Sequence, residues 1–447
     1  MLLGELALVY ASSIYNLRVN EARDGVLVFN TFSGALVMLD WDTYQFLLGV
    51  ENNQNPESHE HFSELLRQGL IVRRELNEAN RVILTEKRTK MLSRRDTLKF
   101  LVGPTLACNL DCQYCYQSEV RRNIAMSEGV WEDLFSYICS RFEPTVKRLH
   151  IDWFGGEPLL EHERIARFSV RMASHCKEID VEYSAGVITN GVLLSQRLMG
   201  VLHNQCMVKH IQITLDCLVD NYCRLKGATA EDFYTVLDNI EQASQLCSLT
   251  IRLNTDDDNY GDMKELARHL LVDRRLRGKV RIYLAPIEGT DSAGEGFMKR
   301  FLTQMEPEFL GYLVNQLGYS ADGLLPQYKG VYCGLVSPDP AIIGPSGEFY
   351  QCEHHFGDSS KVTGHISRGL YYTPNQLDLL NVDIPLACSD CDILPLCLGG
   401  CPRDRLEDGL SVDCSSRRQN VLKKIRLYCA HNGWSLDWNH GEGRSQG

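Results

Sequence analysis

Cys108, Cys112 and Cys115 stand in the run CNLDCQYC, a C-x-x-x-C-x-x-C spacing. Thiolates this close on one loop suit a soft metal centre. An iron–sulfur cube holds four irons, and a protein normally caps each with a thiolate. Three thiols with no fourth close by leave one iron open to bind and reduce a small molecule. Zinc also accepts short cysteine spacings, and reduced core thiols are the plainer alternative. Taken alone, the triplet leaves these readings open.

The chain of 447 residues has seventeen cysteines and a formal charge of −12. That length is ample for two or three domains. An odd, high cysteine count in a long chain points to metal or redox chemistry rather than a disulfide framework. The negative charge argues against a nucleic-acid partner. The first fifteen residues are apolar, but Glu5 interrupts them and no basic stretch precedes them, unlike a secretory signal. No other stretch approaches the roughly 18 apolar residues of a membrane helix. The expectation is a cytoplasmic protein without a membrane partner. Cys139, Cys176, Cys206, Cys217, Cys223, Cys247 and Cys429 lack cluster spacing and read as small core residues.

The elements that must position the triplet alternate. Candidate strands at 98–103, 148–154, 181–188, 209–215, 249–255 and 280–286 are separated and followed by helical stretches near 127–142, 161–176, 194–203, 231–246, 260–271 and 297–317. Six successive βα units favour a parallel sheet with right-handed crossovers. The expected fold is therefore α/β, a partial (β/α)6 barrel of the TIM-like kind. Such barrels carry their chemistry at the C-terminal ends of the strands, and the triplet follows strand one.

Before the barrel, residues 15–75 read as a small α+β unit. Asp24-Gly25 is a hairpin signal into Val26–Phe29. Ser33-Gly34 turns the chain into Ala35–Leu39, Asp40 or Asp42 caps a helix, and a second helix over His59–Arg67 stops at Gly69. The charged run 85–97 reads as a connector and a domain boundary. Beyond about 325 periodicity weakens and Cys, Gly and Pro dominate, which suggests a region that leans on metal. A last helix near 415–432 carries a basic run expected to be a solvated face, and the tail from His440 is expected to be disordered. The domains are thus expected at 1–85, 98–325 and 326–447.

Further polar groups sit where strands end. Gly155-Gly156-Glu157-Pro158 follows strand two, Thr189-Asn190-Gly191 strand three, and Thr214-Leu215-Asp216 strand four. Arg224 lies in the next loop and Arg252-Leu253-Asn254 on strand five. Glycines admit close backbone approach, and a carboxylate can accept hydrogen bonds from an ammonium.

With the cysteine triplet and the aromatic Tyr114 before its last member, this pattern resembles the radical S-adenosylmethionine (SAM) superfamily. The resemblance implies a 4Fe–4S cube on Cys108, Cys112 and Cys115. It also implies SAM contacts from Tyr114, Gly155, Gly156, Glu157, Asn190, Thr214, Asp216 and Arg224, with an ordinary salt bridge equally open for Arg224 and Arg252. The family usually has glycine after the fourth-strand aspartate, where this chain has Cys217.

Downstream, Cys333 and Cys352 are followed by Cys388, Cys391, Cys397 and Cys401, spaced C-x-x-C-x-x-x-x-x-C-x-x-x-C, and then Cys414. This order resembles the SPASM domain of radical SAM enzymes that modify peptides and proteins. The resemblance assigns Cys388, Cys391, Cys397 and Cys414 to an outer auxiliary cluster, and Cys333, Cys352 and Cys401 to an inner one. The family's frequent extra cysteine after the first is missing from GLVSPDPAIIG, leaving an open iron or a ligand such as Glu353, His354 or His355. A zinc ribbon would use four cysteines and leave three idle. The N-terminal unit, with its run NTFSGALVMLD, resembles the winged-helix-like element that grips leaders of ribosomally made peptides. Its eleven acidic and five basic side chains over 1–80 disfavour DNA.

Together these resemblances imply three 4Fe–4S clusters, SAM, and a precursor peptide with a leader. They further imply an external one-electron reductant of flavodoxin or ferredoxin type. The expected activity is hydrogen abstraction from the peptide by a 5′-deoxyadenosyl radical, ending in a thioether or another cross-link. An anaerobic sulfatase-maturating activity (formylglycine formation, with Glu353 accepting a proton) and a non-enzymatic iron–sulfur protein are the alternatives.

Overall fold

The computed structural model describes residues 9–91, 96–120, 122–287, 296–334, 336–339, 341–407 and 413–434. The expected disordered tail and most of the apolar N-terminal stretch lie outside them. None of the described helices is long and apolar enough to cross a membrane. The chain divides into two compact units that interleave along the sequence.

One unit comprises Met1–Thr89, Ser320–Cys333 and Val382–Gly447. Strand β1 (Tyr10–Ser12) pairs with β5 (Ile71–Arg73), and β2 (Asn16–Ala22), β3 (Gly25–Asn30) and β4 (Leu36–Asp40) form an antiparallel meander. Asp40 caps the following helix by accepting from the Thr43 amide at 2.7 Å, and Gly69, at φ +80°, ends the helix Phe62–Gln68. The hairpin, the cap and the stop agree with the sequence expectation.

The run GVLVFN of β3 is buried along its whole length, as a continuous apolar run implies. Val26 and Val28 pack with Leu39, Leu47, Phe62 and Leu65. Leu27 and Phe29, on the other face, pack with Leu17, Val19, Ile393 and Ile425. The N-terminal strands and the C-terminal helix Cys414–His431 therefore share one core. The basic run of that helix is not simply solvated: Arg418 pairs with Asp392 at 2.8 Å and Arg426 donates to the Val19 carbonyl at 3.0 Å.

The expected connector is corrected too. A helix, Glu78–Met91, runs into the charged segment; most of its residues are good helix formers, and it has no Gly or Pro. Ala79 and Val82 bury against Ile384, Leu394 and Leu398.

The other unit comprises Lys90–Tyr319 and Gly334–Asn381. Strands β6 (Thr97–Val102), β7 (Arg148–Trp153), β8 (Glu182–Thr189), β9 (Val208–Thr214), β10 (Ser248–Thr255) and β11 (Val280–Pro286) lie parallel in sequence order. This is the expected partial barrel. The sheet then continues beyond β6 through β12 (Ile342–Ile343), which is parallel to it, and the antiparallel β13 (Glu348–Tyr350), β14 (Gly364–His365) and β15 (Gly369–Leu370), giving ten strands. The single C-terminal domain expected at 326–447 is thus split. Ile342 and Ile343 are fully buried, so residues 334–381 have enough apolar surface to join the barrel sheet.

Alternation along the barrel strands separates two faces. Leu149, Ile151, Trp153, Ile211, Ile213, Ile251 and Leu253 face the helices and form the main core with Trp131, Phe168 and Ile240. The intervening His150, Asp152, Ser184, His210, Gln212 and Arg252 are half-buried. Ser127 and Thr229 cap the helices Glu128–Ser140 and Ala230–Ala243, which fixes their starts relative to the strand ends.

Candidate metal and cofactor site at the strand ends

The cysteine loop leaves β6 and is held by backbone on two sides. On one side, the Gly156 amide donates to the Thr105 carbonyl at 3.1 Å and the Glu157 amide to Ala107 at 2.8 Å. A Cβ on Gly155 would meet the Thr105 oxygen at 2.5 Å, and one on Gly156 the Ala107 oxygen at 2.2 Å. These glycines permit contact between two loops, a closer use than the ligand approach inferred from sequence. On the other side, the amides of Asp111 and Gln113 donate to the carbonyls of Lys226 at 3.0 Å and Leu225 at 2.8 Å, at the end of the helix Val219–Lys226.

Cys108, Cys112 and Cys115 are half-buried thiols that form no disulfide. The Cys108 sulfur accepts from the Leu110 amide at 3.5 Å and from Asn190 Nδ2 at 3.8 Å. Burial pushes the Cys112 thiol up to about 11, opposed by Lys226 and assisted by Asp216, Cys108 and Cys115. Among the described residues, no group of three or more His, Cys, Asp or Glu closes around a single metal ion. Three thiols on one short loop, with two amide donors aimed at the Cys108 sulfur, fit an iron–sulfur cube.

Glu157 is completely buried. Its carboxylate accepts from Thr189 Oγ1 at 2.9 Å, the Asn190 amide at 2.9 Å and the Leu159 amide at 3.0 Å. Burial lifts its pKa to about 7 against those donors. The side chain thus ties the β7 loop to the β8 loop. Asn190 is carried by that tie, and its Nδ2 also donates to Asn109 Oδ1 at 2.8 Å.

Asp216 is likewise turned inward. It accepts from the Tyr114 hydroxyl, from the Asn254 amide at 2.9 Å and from Lys226 Nζ at 3.0 Å. The Cys217 amide donates to the Leu215 carbonyl at 3.0 Å around Asp216 at φ +73°, a three-residue turn that is strained for a non-glycine. The positive φ thus falls on Asp216 itself, which explains why the next residue need not be glycine; Cys217 is core. Thr214 gives its carbonyl and hydroxyl oxygens to Lys226. Arg224 is exposed and donates to Asn221 Oδ1 at 3.2 Å, so it is not brought to this network. Lys226, two residues on, is the cation the sequence reading missed; its spacing from Asp216 gave no sign of burial.

Glu353 lies in the barrel unit. Its charge acts on the Tyr116 and Tyr283 hydroxyls, as does that of Arg252, and the Tyr116 ring is tilted against His354 at 5.0 Å. In the other unit, Cys388, Cys391, Cys397 and Cys414 converge closely enough for each of the first three thiols to feel the Cys414 charge. Burial raises all three of those thiols. Cys401 instead faces Asp404 and Arg403. Cys333 and Cys401 belong to this unit and Cys352 to the barrel unit.

The structure thus defines an α/β protein with a partial barrel and three thiols after its first strand, and residues 102–270 match the family model described as the Radical SAM superfamily. The chain thus carries a Radical SAM domain. An uncharacterized protein of Archaeoglobus fulgidus is 23% identical over 361 residues, 73% of this chain and 79% of its own. The radical SAM cyclopropyl synthase TigE of Paramaledivibacter caminithermalis is 24% identical over 204 residues, 38% of this chain and 42% of its own. The solved structure of native anSMEcpe with bound AdoMet matches with a TM-score of 0.57 at 16% identity, over 75% of this chain and 99% of that one. Its complex with the Cp18Cys peptide matches with a TM-score of 0.55 at 16% identity and the same coverage. The structural likeness establishes the fold.

Proposed function

We propose that this chain is a radical SAM enzyme that takes hydrogen from a ribosomally made precursor peptide and closes a cross-link in it, a thioether or another bond. The observation that carries the reading is the convergence at one barrel mouth. Cys108, Cys112 and Cys115, the Gly155–Gly156 clasp and the Asn190 amide all sit on loops at the C-terminal ends of parallel strands, where such folds act.

When bound there, a 4Fe–4S cube and SAM would supply the one-electron reduction and the 5′-deoxyadenosyl radical. The residues of the chain hold, aim and shield. Glu157 and Asp216 act beneath the site by fixing loops, while Gly155, Gly156 and Asn190 line it. Cys388, Cys391, Cys397 and Cys414 would hold one auxiliary cluster; the SPASM resemblance implies another on Cys333, Cys352 and Cys401, for three cubes in all. If a peptide thiolate joins the carbon radical, one electron is left over. The auxiliary clusters would take it, and Glu353 would take the thiol proton. The first electron comes from an external flavodoxin- or ferredoxin-type donor. The peptide substrate is supported by the peptide in the anSMEcpe complex, and the radical chemistry by the likeness to the radical SAM cyclopropyl synthase TigE.

The N-terminal strands and helices would capture the leader. Ser13 donates to the Leu70 carbonyl and Arg74 to Val9, so by antiparallel alternation the amides of Ile71 and Arg73 point away from β1. That edge borders a cavity of about 590 Å³ lined by Phe32, Leu66, Leu76 and Arg81 among others. An extended leader could add there as a strand and bury apolar side chains.

Glu353 directly after Cys352 also suits formylglycine formation. Incubating reduced protein with SAM and the peptide encoded by a neighbouring short reading frame separates the readings. A cross-link shows as loss of two hydrogens, formylglycine as a hydrazide-reactive aldehyde. No 5′-deoxyadenosine at all leaves a non-enzymatic iron–sulfur protein.

A further inference from the structure

Lys226 is 1% exposed and Asp216 0%. An ammonium has three N–H donors, and all three of this one are committed: to the Thr214 carbonyl at 2.8 Å, to Thr214 Oγ1 at 3.0 Å and to Asp216 Oδ2 at 3.0 Å. It has no donor left for a ligand. The same residue's carbonyl receives the Asp111 amide, and Gly227, at φ +58°, brings the backbone within 3.1 Å of Asp111 were it to carry a Cβ. The cysteine loop therefore rests on the residue that carries the buried charge.

Burying an ammonium is costly unless it is paired and hydrogen-bonded. Burial pulls the Lys226 pKa down, but Asp216, Cys112 and Tyr222 more than reverse this, so the group stays charged. Its charge also reaches Glu157. The Tyr114 hydroxyl, on the cysteine loop between Cys112 and Cys115, donates to the same Asp216 carboxylate oxygen that holds the ammonium, so the buried charge lies one residue contact from the loop.

We infer that Lys226 is the fixed counter-charge of the barrel's iron–sulfur cluster, a positioning residue whose desolvated ammonium stabilises the negative charge gained when the cluster accepts one electron. The inference rests on the radical SAM reading. In a water-poor site such a charge acts strongly, and charge and hydrogen bonds around the ligands set the potential of iron–sulfur centres. Asp216 works against it, so the two members of the pair shift the couple in opposite directions. A role confined to holding the loop would not produce that sign reversal.

The test is an electron-paramagnetic-resonance redox titration of the full, anaerobically reconstituted chain, following the reduced signal that changes when SAM is added. Lys226→Met should lower the ratio of reduced to oxidised cluster at fixed potential at least tenfold, about 59 mV for a one-electron couple. Lys226→Arg should restore it, and Asp216→Asn should move it the other way. An unchanged midpoint in Lys226→Met that keeps its iron overturns the inference. Should Lys226→Met lose its iron, a midpoint in Asp216→Asn that is unchanged or more negative overturns it equally. Absence of any SAM-sensitive cluster signal in the wild type would instead defeat the radical SAM reading.

Discussion

A Cβ on Gly156 would stand 2.2 Å from the carbonyl oxygen of Ala107, so the loop after β7 touches the cysteine loop backbone to backbone. Gly156→Ala must push the two apart, at an overpacking cost of about 1–3 kcal/mol. The variant should lose iron from the barrel site and bind SAM at least tenfold more weakly. Iron analysis and isothermal titration check this; normal iron and affinity would show that the contact is dispensable.

Glu157 predicts a pH effect. Its folded pKa of about 7 lies above the ordinary value near 4.3, so the folded state binds more protons between those pH values. Stability is then fully present below about pH 4 and falls as pH rises through about 7. The cost of ionising the buried group is on the order of 3 kcal/mol. Glu157→Gln, always neutral, should not show this component. Urea unfolding at pH 5 and pH 8 compares them, and equal pH slopes would contradict the buried-carboxyl account. Glu157→Ala leaves the Thr189, Asn190 and Leu159 donors unpaired, and should weaken SAM binding through the displaced loop.

The cysteine loop, the glycine pair and the six parallel strands were legible because spacing and two-residue alternation are local properties. Glu157, Lys226 and Asp216 were not, because burial and partners are set by segments distant in sequence. Asp216 shows this well: a positive φ on a non-glycine leaves no mark in the residue list, so Cys217 read as an anomaly. Likewise the hairpin strand Val26–Phe29 was legible, but not that one of its faces meets Ile393 and Ile425. The charged residues near 85–91 masked a helix whose apolar side is only Ala79, Val82 and Ile83.

That shared core makes the N-terminal unit inseparable from the C-terminal cysteines. Leu27→Ala should cost about 2–5 kcal/mol as a core truncation. It should loosen iron at Cys388, Cys391, Cys397 and Cys414 before iron at the barrel. Mössbauer counting of clusters during mild heating checks the order; simultaneous loss would contradict it.

Leader capture is better tested at a point than by deleting the unit. Arg73 turns its amide from β1, so Arg73→Pro removes a free-edge donor while sparing the ladder, as proline on an edge strand does. The dissociation constant for the full-length precursor should rise tenfold or more, about 1.4 kcal/mol, with SAM cleavage unaffected. Unchanged affinity would remove the strand-addition model.

The central claim is that Cys108, Cys112 and Cys115 hold the cluster that cleaves SAM. The most direct measurement is 5′-deoxyadenosine release and iron content in anaerobically reconstituted, dithionite-reduced protein, wild type against the Cys108→Ala/Cys112→Ala/Cys115→Ala variant. The account predicts about twelve irons falling to about eight, with 5′-deoxyadenosine formation abolished. Undiminished 5′-deoxyadenosine in the triple variant, or an active wild type filled with zinc instead of iron, would contradict it.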